Sequence, residues 1–522
     1  MKTRKLAQIL SLALALFLFT GCSGTPAGSQ SSSGGGGSQQ VDGEVQDNLN
    51  VGVQLDIDTL DPHNSTLTAA GMRLNGLIFE TLITKNENSE YEPCLATEWE
   101  WLSDTELQFK LRQGVLFHDG TEMKASDVKF SIDRSAATAR HSARYSDLEK
   151  IIVNDDYTVT FVTSQPSAKL MDMLSEVLMG GGIIPEAHTL AVGDSISTDA
   201  VGTGPYKVQN WAAGEELVVE QFEDYWGDPG VSKTITFRVI SEDTSRVIAL
   251  ENGEIDIAET IPSTDITRIE DNPNLQLLSI DGMVTTYWGF NTSKAPFDDL
   301  RVRQALNYAI DRDSVAIAAT NGEGGAEKSV LSKGMDGYYD GMTGFPYDPE
   351  QAKALLADAG YADGFTINIY VKSTDSNTQL AAQVLQSNLR DIGVTLNIES
   401  RESTALMDAL AQGEHDTYIL TASNPDVYNG LIFFYSQTPP RTGNRMFYNN
   451  PEFDALYENL LTELDSAKRI EILKEIQELL VEDCPWCPLY GQRFSIGALN
   501  GVSGVELSSM GFHNYAKAYV VK

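Results

Sequence analysis

The residue types that do chemistry are all present in this chain, but few stand at spacings that chemistry needs. Cys484-Pro485-Trp486-Cys487 is a CxxC pair and Cys94 stands alone. A CxxC carries thiol exchange in a strand–helix–strand setting and holds zinc beside a second ligand pair. Neither setting surrounds it, so the pair is either a tight disulfide or two packed thiols. The six histidines (His63, His118, His141, His188, His415 and His513) are scattered without metal-ligand spacing, and no protein metal cage is expected. HExxH, G-x-S-x-G and Walker A patterns do not occur. Gly202-Thr203-Gly204 lacks a third glycine and runs into Pro205-Tyr206-Lys207-Val208, a strand pattern, so it forms no phosphate cradle. Carboxylates are abundant, 74 in all, and a hydrolase using a close carboxylate pair is the remote enzyme reading that survives. No catalytic residue and no cofactor are assigned.

The elements that must position any site are legible from periodicity. Leu107, Phe109 and Leu111 alternate with polar neighbours, as do Ile235, Phe237 and Val239, then Phe365 to Val371, then Val394 to Ile398; each predicts a strand. Ala381, Val384, Leu385, Leu389 and Ile392 fall at helical spacing and stop at Gly393. Asp348-Pro349-Glu350-Gln351 supplies an N-cap, a first-turn proline and a capping-box glutamine for a helix that Gly360 ends. Helices are also expected over Ser245–Asn252 and Ser466–Glu482. At mid-chain, Thr285 to Phe290 form an aromatic strand that breaks into a polar loop. A helix comes next, with Val302, Ala305, Leu306, Ala309 and Ile310 on one stripe and Asp298 and Asp299 at its start. Such a stretch suits a crossing between two halves. At 522 residues the chain exceeds one core, and two or three α/β domains joined by short crossovers are expected.

The N-terminus has the form of a processing signal: basic Lys2, Arg4 and Lys5, then a short apolar run from Leu6 to Phe19. Leu18-Phe19-Thr20-Gly21-Cys22 resembles the bacterial lipobox, with Phe19 where Leu is usual. That resemblance implies lipidation at Cys22 and a tether to the membrane; an ordinary secretion signal with an incidental cysteine is the alternative. Ser23–Gln40 is nearly all Ser, Gly and Gln, a flexible linker. The formal net charge is −37, and removal of residues 1–21 with their three basic groups leaves 34 basic against 74 acidic residues, or −40. Nucleic acid and anionic lipid are poor partners for such a surface.

Longer blocks carry a family resemblance. These are Pro93-Cys94-Leu95-Ala96-Thr97-Glu98-Trp99, then Phe109 to Thr121 with His118-Asp119-Gly120, Ala125-Ser126-Asp127-Val128, and Val201 to Lys207. Asp224-Tyr225-Trp226, Gly253-Glu254-Ile255-Asp256, Pro296 to Arg312, Tyr347–Tyr361 and Tyr448 to Tyr490 continue the series in order. The chain resembles the bacterial solute-binding protein family 5, the oligopeptide, dipeptide and nickel-binding components of ABC importers. The resemblance implies a large bilobed α/β periplasmic-binding-protein-like fold with an inserted subdomain and a hinge. Its implied parts are signal peptide 1–21, lipid-anchored linker 22–44, lobe I at 45–83, 188–279 and 489–522, the inserted subdomain at 84–187 and lobe II at 280–488. It also implies a monomer without catalysis, held at the extracytoplasmic face of the cell membrane, that captures peptides and passes them to permease subunits. Nickel or metallophore complexes, opines and oligosaccharides are the rival ligands, and a sensing role is not separable from transport.

Peptide binders of this family hold the ligand amine with an aspartate in a loop that comes after a Gly-Glu-His-like strand entry. Gly413-Glu414-His415 matches that entry, and Asp426 falls at the anchoring position. The chain departs from the pattern in having Ala422 where Trp is common and Asn424-Pro425 before the aspartate, in a shorter loop; a turn-capping role is the plain alternative for Asp426. Tyr287, Trp288 and Tyr428 are candidates to line the cleft with Asn424, with plain core as the alternative for the hinge aromatics, and Arg441 is a candidate to meet a ligand carboxylate, with a surface role as its alternative. Arg140, His141 and Arg144 lie where nickel-binding relatives place an arginine near their chelate.

Overall fold

The fold is taken from a computed structural model that describes residues 43–64, 74, 76–86, 90–424 and 426–522. The expected leader, Cys22 and nearly all of the linker lie outside the described residues.

Two long strands organise the rest. Leu275–Phe290, of 16 residues, and Trp486–Leu499, of 14, run antiparallel from Leu275 opposite Leu499 to Gly289 opposite Trp486. Their register slips between Asp281 and Thr285 and again between Thr286 and Tyr287. Such irregularities bend a ladder and re-aim the strand beyond them, and here they separate two halves of an eleven-stranded sheet. Beyond the slip on one side, Trp486–Leu499 pairs with Ile257–Ala258, and the sheet continues through Asn48–Val53, Thr234–Val239, Glu216–Gln221 and Tyr206–Ala212. On the other side Leu275–Phe290 pairs with Thr417–Ser423, and Phe365–Lys372 and Val394–Arg401 complete that half. Gly325–Ala326 pairs with Gly491 and Tyr490 beside the slip.

Each half is covered by its own core. Leu49, Val51, Phe237 and Tyr515 anchor one, while Trp288, Phe290, Val302, Ile369 and Leu385 anchor another. A separate antiparallel sheet of Ala96–Ser103, Glu106–Leu111, Thr158–Thr163 and Leu148–Asp155 carries a third, built on Leu107, Phe109 and Phe161. The fold is therefore mixed α/β and bilobed, with an inserted subdomain and two extended strands at the junction.

The alternating stretches form strands Glu106–Leu111, Thr234–Val239, Phe365–Lys372 and Val394–Arg401. The capped segment forms helix Pro349–Asp358, with Asp348 accepting the Gln351 N–H at 2.9 Å. The two remaining long periodic runs form helices Ser376–Arg390 and Ser466–Asp483. One boundary differs. The helix opened by Asp299, which accepts the Arg301 N–H at 2.9 Å, spans Leu300–Tyr308 and stops short of Ile310. The reason is Asp311, whose carboxylate accepts the Ser314 N–H and hydroxyl to start a second helix, Arg312–Thr320. Ala309 and Ile310 stay fully buried in the turn between them.

The CxxC pair stands as two free, buried thiols. Cys484 ends the Ser466–Asp483 helix in a left-handed conformation, φ 35°, and the Cys487 sulfur accepts from the Arg312 guanidinium at 3.2 Å. Burial pushes both thiols up from their ordinary range, away from the thiolate that exchange and metal chemistry need. Among the described residues no group of three or more His, Cys, Asp or Glu side chains is placed to hold a metal. None of the described helices is long and apolar enough to cross a membrane.

Candidate functional site

Between the halves lies a cleft of about 1770 Å³. One wall comes from the start of the inserted subdomain and its helix Lys169–Ser175, which present Lys85, Tyr91, Asp172 and Glu176. The facing wall carries Asp336, Asp426, Tyr428 and Arg469, and the 506–517 segment contributes His513.

The walls already touch. The Lys85 ammonium lies 2.5 Å from both Asp172 and Asp336, bridging carboxylates of opposite walls. The Tyr91 hydroxyl donates to Asp172 at 2.7 Å. Burial alone would lower the Lys85 pKa, but the two carboxylates outweigh it and hold the ammonium above its ordinary value. Nearby, the Ala168 N–H donates to the Leu461 carbonyl at 2.9 Å, a backbone bond across the same gap.

Asp426 comes just after the strand Thr417–Ser423 and caps the short helix Val427–Leu431. Its carboxylate accepts the Asn429 N–H at 2.8 Å and the Asn429 side-chain amide at 2.5 Å. Capping and lining are thus combined in one residue. Burial raises its pKa, Asn429 works against that rise, and the Asp172 charge adds to it while Arg144 opposes. Tyr428 is only 8% exposed and faces the same space. On the opposite wall Glu176 lines the cleft with its surface exposed; the protein crowded around the cleft raises its carboxyl, and Lys85 opposes that rise. Glu80 is held differently: the Tyr225 hydroxyl and Trp226 indole donate to it at 2.8 and 2.9 Å. His513 accepts the Ser508 N–H on Nδ1 at 3.3 Å, and burial lowers its pKa. Its neutral ring therefore carries the proton on Nε2.

Of the residues singled out from sequence, Asp426 and Tyr428 lie on the cleft and the others do not. Trp288 is fully buried, edge-on to Phe290 with ring centres 4.7 Å apart. Tyr287 is 2% exposed and packs on Trp486 with ring centres 3.8 Å apart. The physical reason is strand geometry: successive side chains point to opposite faces, and both faces of this sheet are covered by core. Asn424 is buried, its N–H on the Met283 carbonyl, and is not among the lining residues. Arg441 stands at the surface, paired with Asp408 at 2.9 Å. Arg140, His141 and Arg144 lie off the cleft lining; His141 is buried beside Arg144, and burial first, then the neighbouring arginines, drive its pKa down to about 3.

Lys85, Asp172, Glu176, Asp336 and His513 were not found from sequence. They come from four distant segments, and no local spacing joins them. The one local trace is Gly180-Gly181-Gly182 after Glu176: Gly180 has φ 92°, and a Cβ on Gly181 would sit 2.4 Å from the Met173 carbonyl oxygen. That run marks a tight turn behind the wall.

Comparison with known proteins bears on the whole chain. The glutathione-binding protein GsiB of Escherichia coli K12 is 28% identical over 457 residues, spanning 84% of this chain and 88% of that protein. Among solved structures, the ABC transporter-associated periplasmic binding protein DppA of Helicobacter pylori, in complex with the peptide STSA, is 26% identical. It superposes with a TM-score of 0.71 over 92% of this chain and 99% of its own. The binding protein AgaA of A. tumefaciens R10, in complex with agropinic acid, is 27% identical with a TM-score of 0.69, over 91% of this chain and 99% of its own. These relatives are binding proteins rather than enzymes. The family model for bacterial extracellular solute-binding proteins, family 5, matches residues 90–441, and the chain belongs to that family.

Proposed function

We propose that this protein is the capture component of an ABC importer, that it binds peptides by closing two lobes over the cleft, and that it delivers them to a membrane permease. We divide it into lobe I (45–83, 188–279, 489–522), an inserted subdomain (84–187) and lobe II (280–488), tethered outside the membrane through a lipid on Cys22 and acting as a monomer. The cores support that division, since Leu49 to Val53 with Tyr515, Leu107 with Phe161, and Trp288 with Leu385 fall in separate clusters.

The observation that carries the reading is a large cleft whose facing wall presents a carboxylate, Asp426, beside Tyr428. A peptide amine on Asp426 is a charge-assisted contact in a water-poor space, and it supplies the charge partner that burial otherwise denies the carboxylate. The volume of about 1770 Å³ exceeds the ~300–1,000 Å³ typical of small-ligand sites, which suits an extended chain of several residues. Closure comes from contacts made to both walls at once: moving open to closed from 1:99 to 99:1 needs about 5.5 kcal/mol of differential affinity. The slip at Asp281–Thr285 is where two strands absorb the change.

The test is Asp426→Asn. Asparagine keeps the helix cap and removes the charge, so titration calorimetry should show at least tenfold weaker peptide binding, about 1.4 kcal/mol, with stability held. Unchanged affinity rules the anchor out. The likeness to AgaA gives an opine as the second reading, and a discrete opine-sized ligand retained by the purified protein would establish it.

A further inference from the structure

We propose that the floor of the cleft is an apolar subsite that takes a large aliphatic or aromatic side chain of the captured peptide, beside its amine on Asp426. The inference rests on the capture reading for the amine and adds the class of side chain that the ligand carries.

Five apolar side chains make the floor: Ile280 and Met283 on the long strand Leu275–Phe290, and Leu507, Met510 and Phe512 on the 506–517 segment. All five line the cleft and all are half-buried, so each keeps open surface. Leu507 leans on the core that holds Leu49, and Met283 on the core that holds Tyr428. Ile280, Met510 and Phe512 pack into none of the apolar cores among the described residues. Apolar surface gathered in a cleft and left outside the cores gains from a partner that shuts water out.

The floor is held in place. Glu506 and Asn514 exchange both backbone bonds, at 3.0 and 2.9 Å, which closes 507–513 into a loop. Its turn is at Gly511, φ 77°, where a Cβ would stand 3.0 Å from the Phe494 ring. The Met283 N–H donates to the Ser509 carbonyl at 2.7 Å and fixes the loop to the strand. Gly334 of the facing wall completes the contact, since a Cβ there would meet Ser509 at 2.7 Å and Met283 at 3.2 Å.

The floor also lies beside the anchor. The Met283 carbonyl accepts the Asn424 N–H at 3.4 Å, two residues before Asp426. A Cβ on Gly430, in the helix that Asp426 caps, would stand 3.2 Å from the Met335 methyl. A ligand amine at Asp426 therefore brings the side chain next to it over methionine. Few placed polar groups over a mainly apolar lining is the usual build of a ligand site. Methionine is unbranched and polarisable and repacks around partners of different size. The floor accepts leucine and phenylalanine alike and penalises glycine, which covers nothing.

The experiment is titration calorimetry of the purified full chain with Gly-Ala-Ala, Leu-Ala-Ala and Phe-Ala-Ala. The leucine and phenylalanine peptides should each bind at least about tenfold more tightly than Gly-Ala-Ala. They should do so with a more negative heat-capacity change, the mark of apolar burial. Met283→Gln combined with Met510→Gln should cut that ratio at least threefold, and Met283→Leu with Met510→Leu should keep it. Circular dichroism and the unfolding midpoint report that each variant is folded, and the comparison in the parent protein stands without them. Equal affinities in the parent, all falling with Asp426→Asn, overturn the subsite and leave peptide capture standing. A ratio unchanged by the glutamine pair moves the side chain off the floor and overturns the assignment. Binding of none of the three peptides removes the capture reading and the subsite with it.

Discussion

The sheet junction and the cleft wall are close neighbours in the chain and are built on opposite terms. Tyr287 pairs across the sheet with Leu420, and Asp426 stands only six residues further on. At the junction, Tyr287, Trp288, Phe290 and Trp486 are all at most 2% exposed and pack ring against ring. At the wall, Asp426, Glu176 and Asp336 line open space, and burial raises the Asp426 carboxyl. Aromatic side chains gain from burial itself. Carboxylates gain from it only when something cationic arrives. We propose that recognition rests on the wall carboxylates, Asp426 first, while the aromatic stretch that first marks the junction holds the halves together.

The largest expected effect tests the junction. Trp288→Ala removes a fully buried indole and should cost about 3–5 kcal/mol in urea unfolding, with ligand affinity of the folded fraction kept. A loss below about 1 kcal/mol would break the comparison, because Trp288 would then not be core. Next in size is the loss of binding, tenfold or more, for Asp426→Asn. Asp336→Asn should act more weakly. It removes the cross-cleft partner of Lys85, yet Asp336 is 37% exposed, so screening limits the effect to roughly fivefold in affinity, about 1 kcal/mol or less. Small-angle scattering should show a larger radius for the empty variant at low salt, converging with the parent at high salt; identical radii at low salt would mean the ion pair does not hold the walls together. Smallest of all, Arg441→Ala should leave ligand affinity within about twofold, since exposed ion pairs contribute little and Arg441 lies outside the cleft. A tenfold loss there would return Arg441 to the site.

The architecture was legible where it depends on local pattern. Alternation marked Phe365–Lys372 and Val394–Arg401, and capping chemistry marked Asp348 and Asp299. Gly360 and Gly393 end their helices at φ 92° and 82°, as their spacing implied. Asp426 was found through the family's strand entry, and the structure puts it on the cleft as well as in the cap that is its plain alternative. The aromatic pair misled because side-chain type says that Tyr287 and Trp288 will be covered but not by what. The lysine bridge and Glu176 were invisible because Lys85, Asp172, Glu176 and Asp336 meet only after the chain crosses between walls, and each is an ordinary charged residue in its own segment.

Native mass spectrometry of the gently purified full chain tests the central claim most directly, because it reads the cargo itself. The account predicts a set of bound peptide masses, depleted when Asp426 is replaced by Asn. A single discrete mass corresponding to a metal chelate, an opine or a sugar, unchanged by Asp426→Asn, would contradict it.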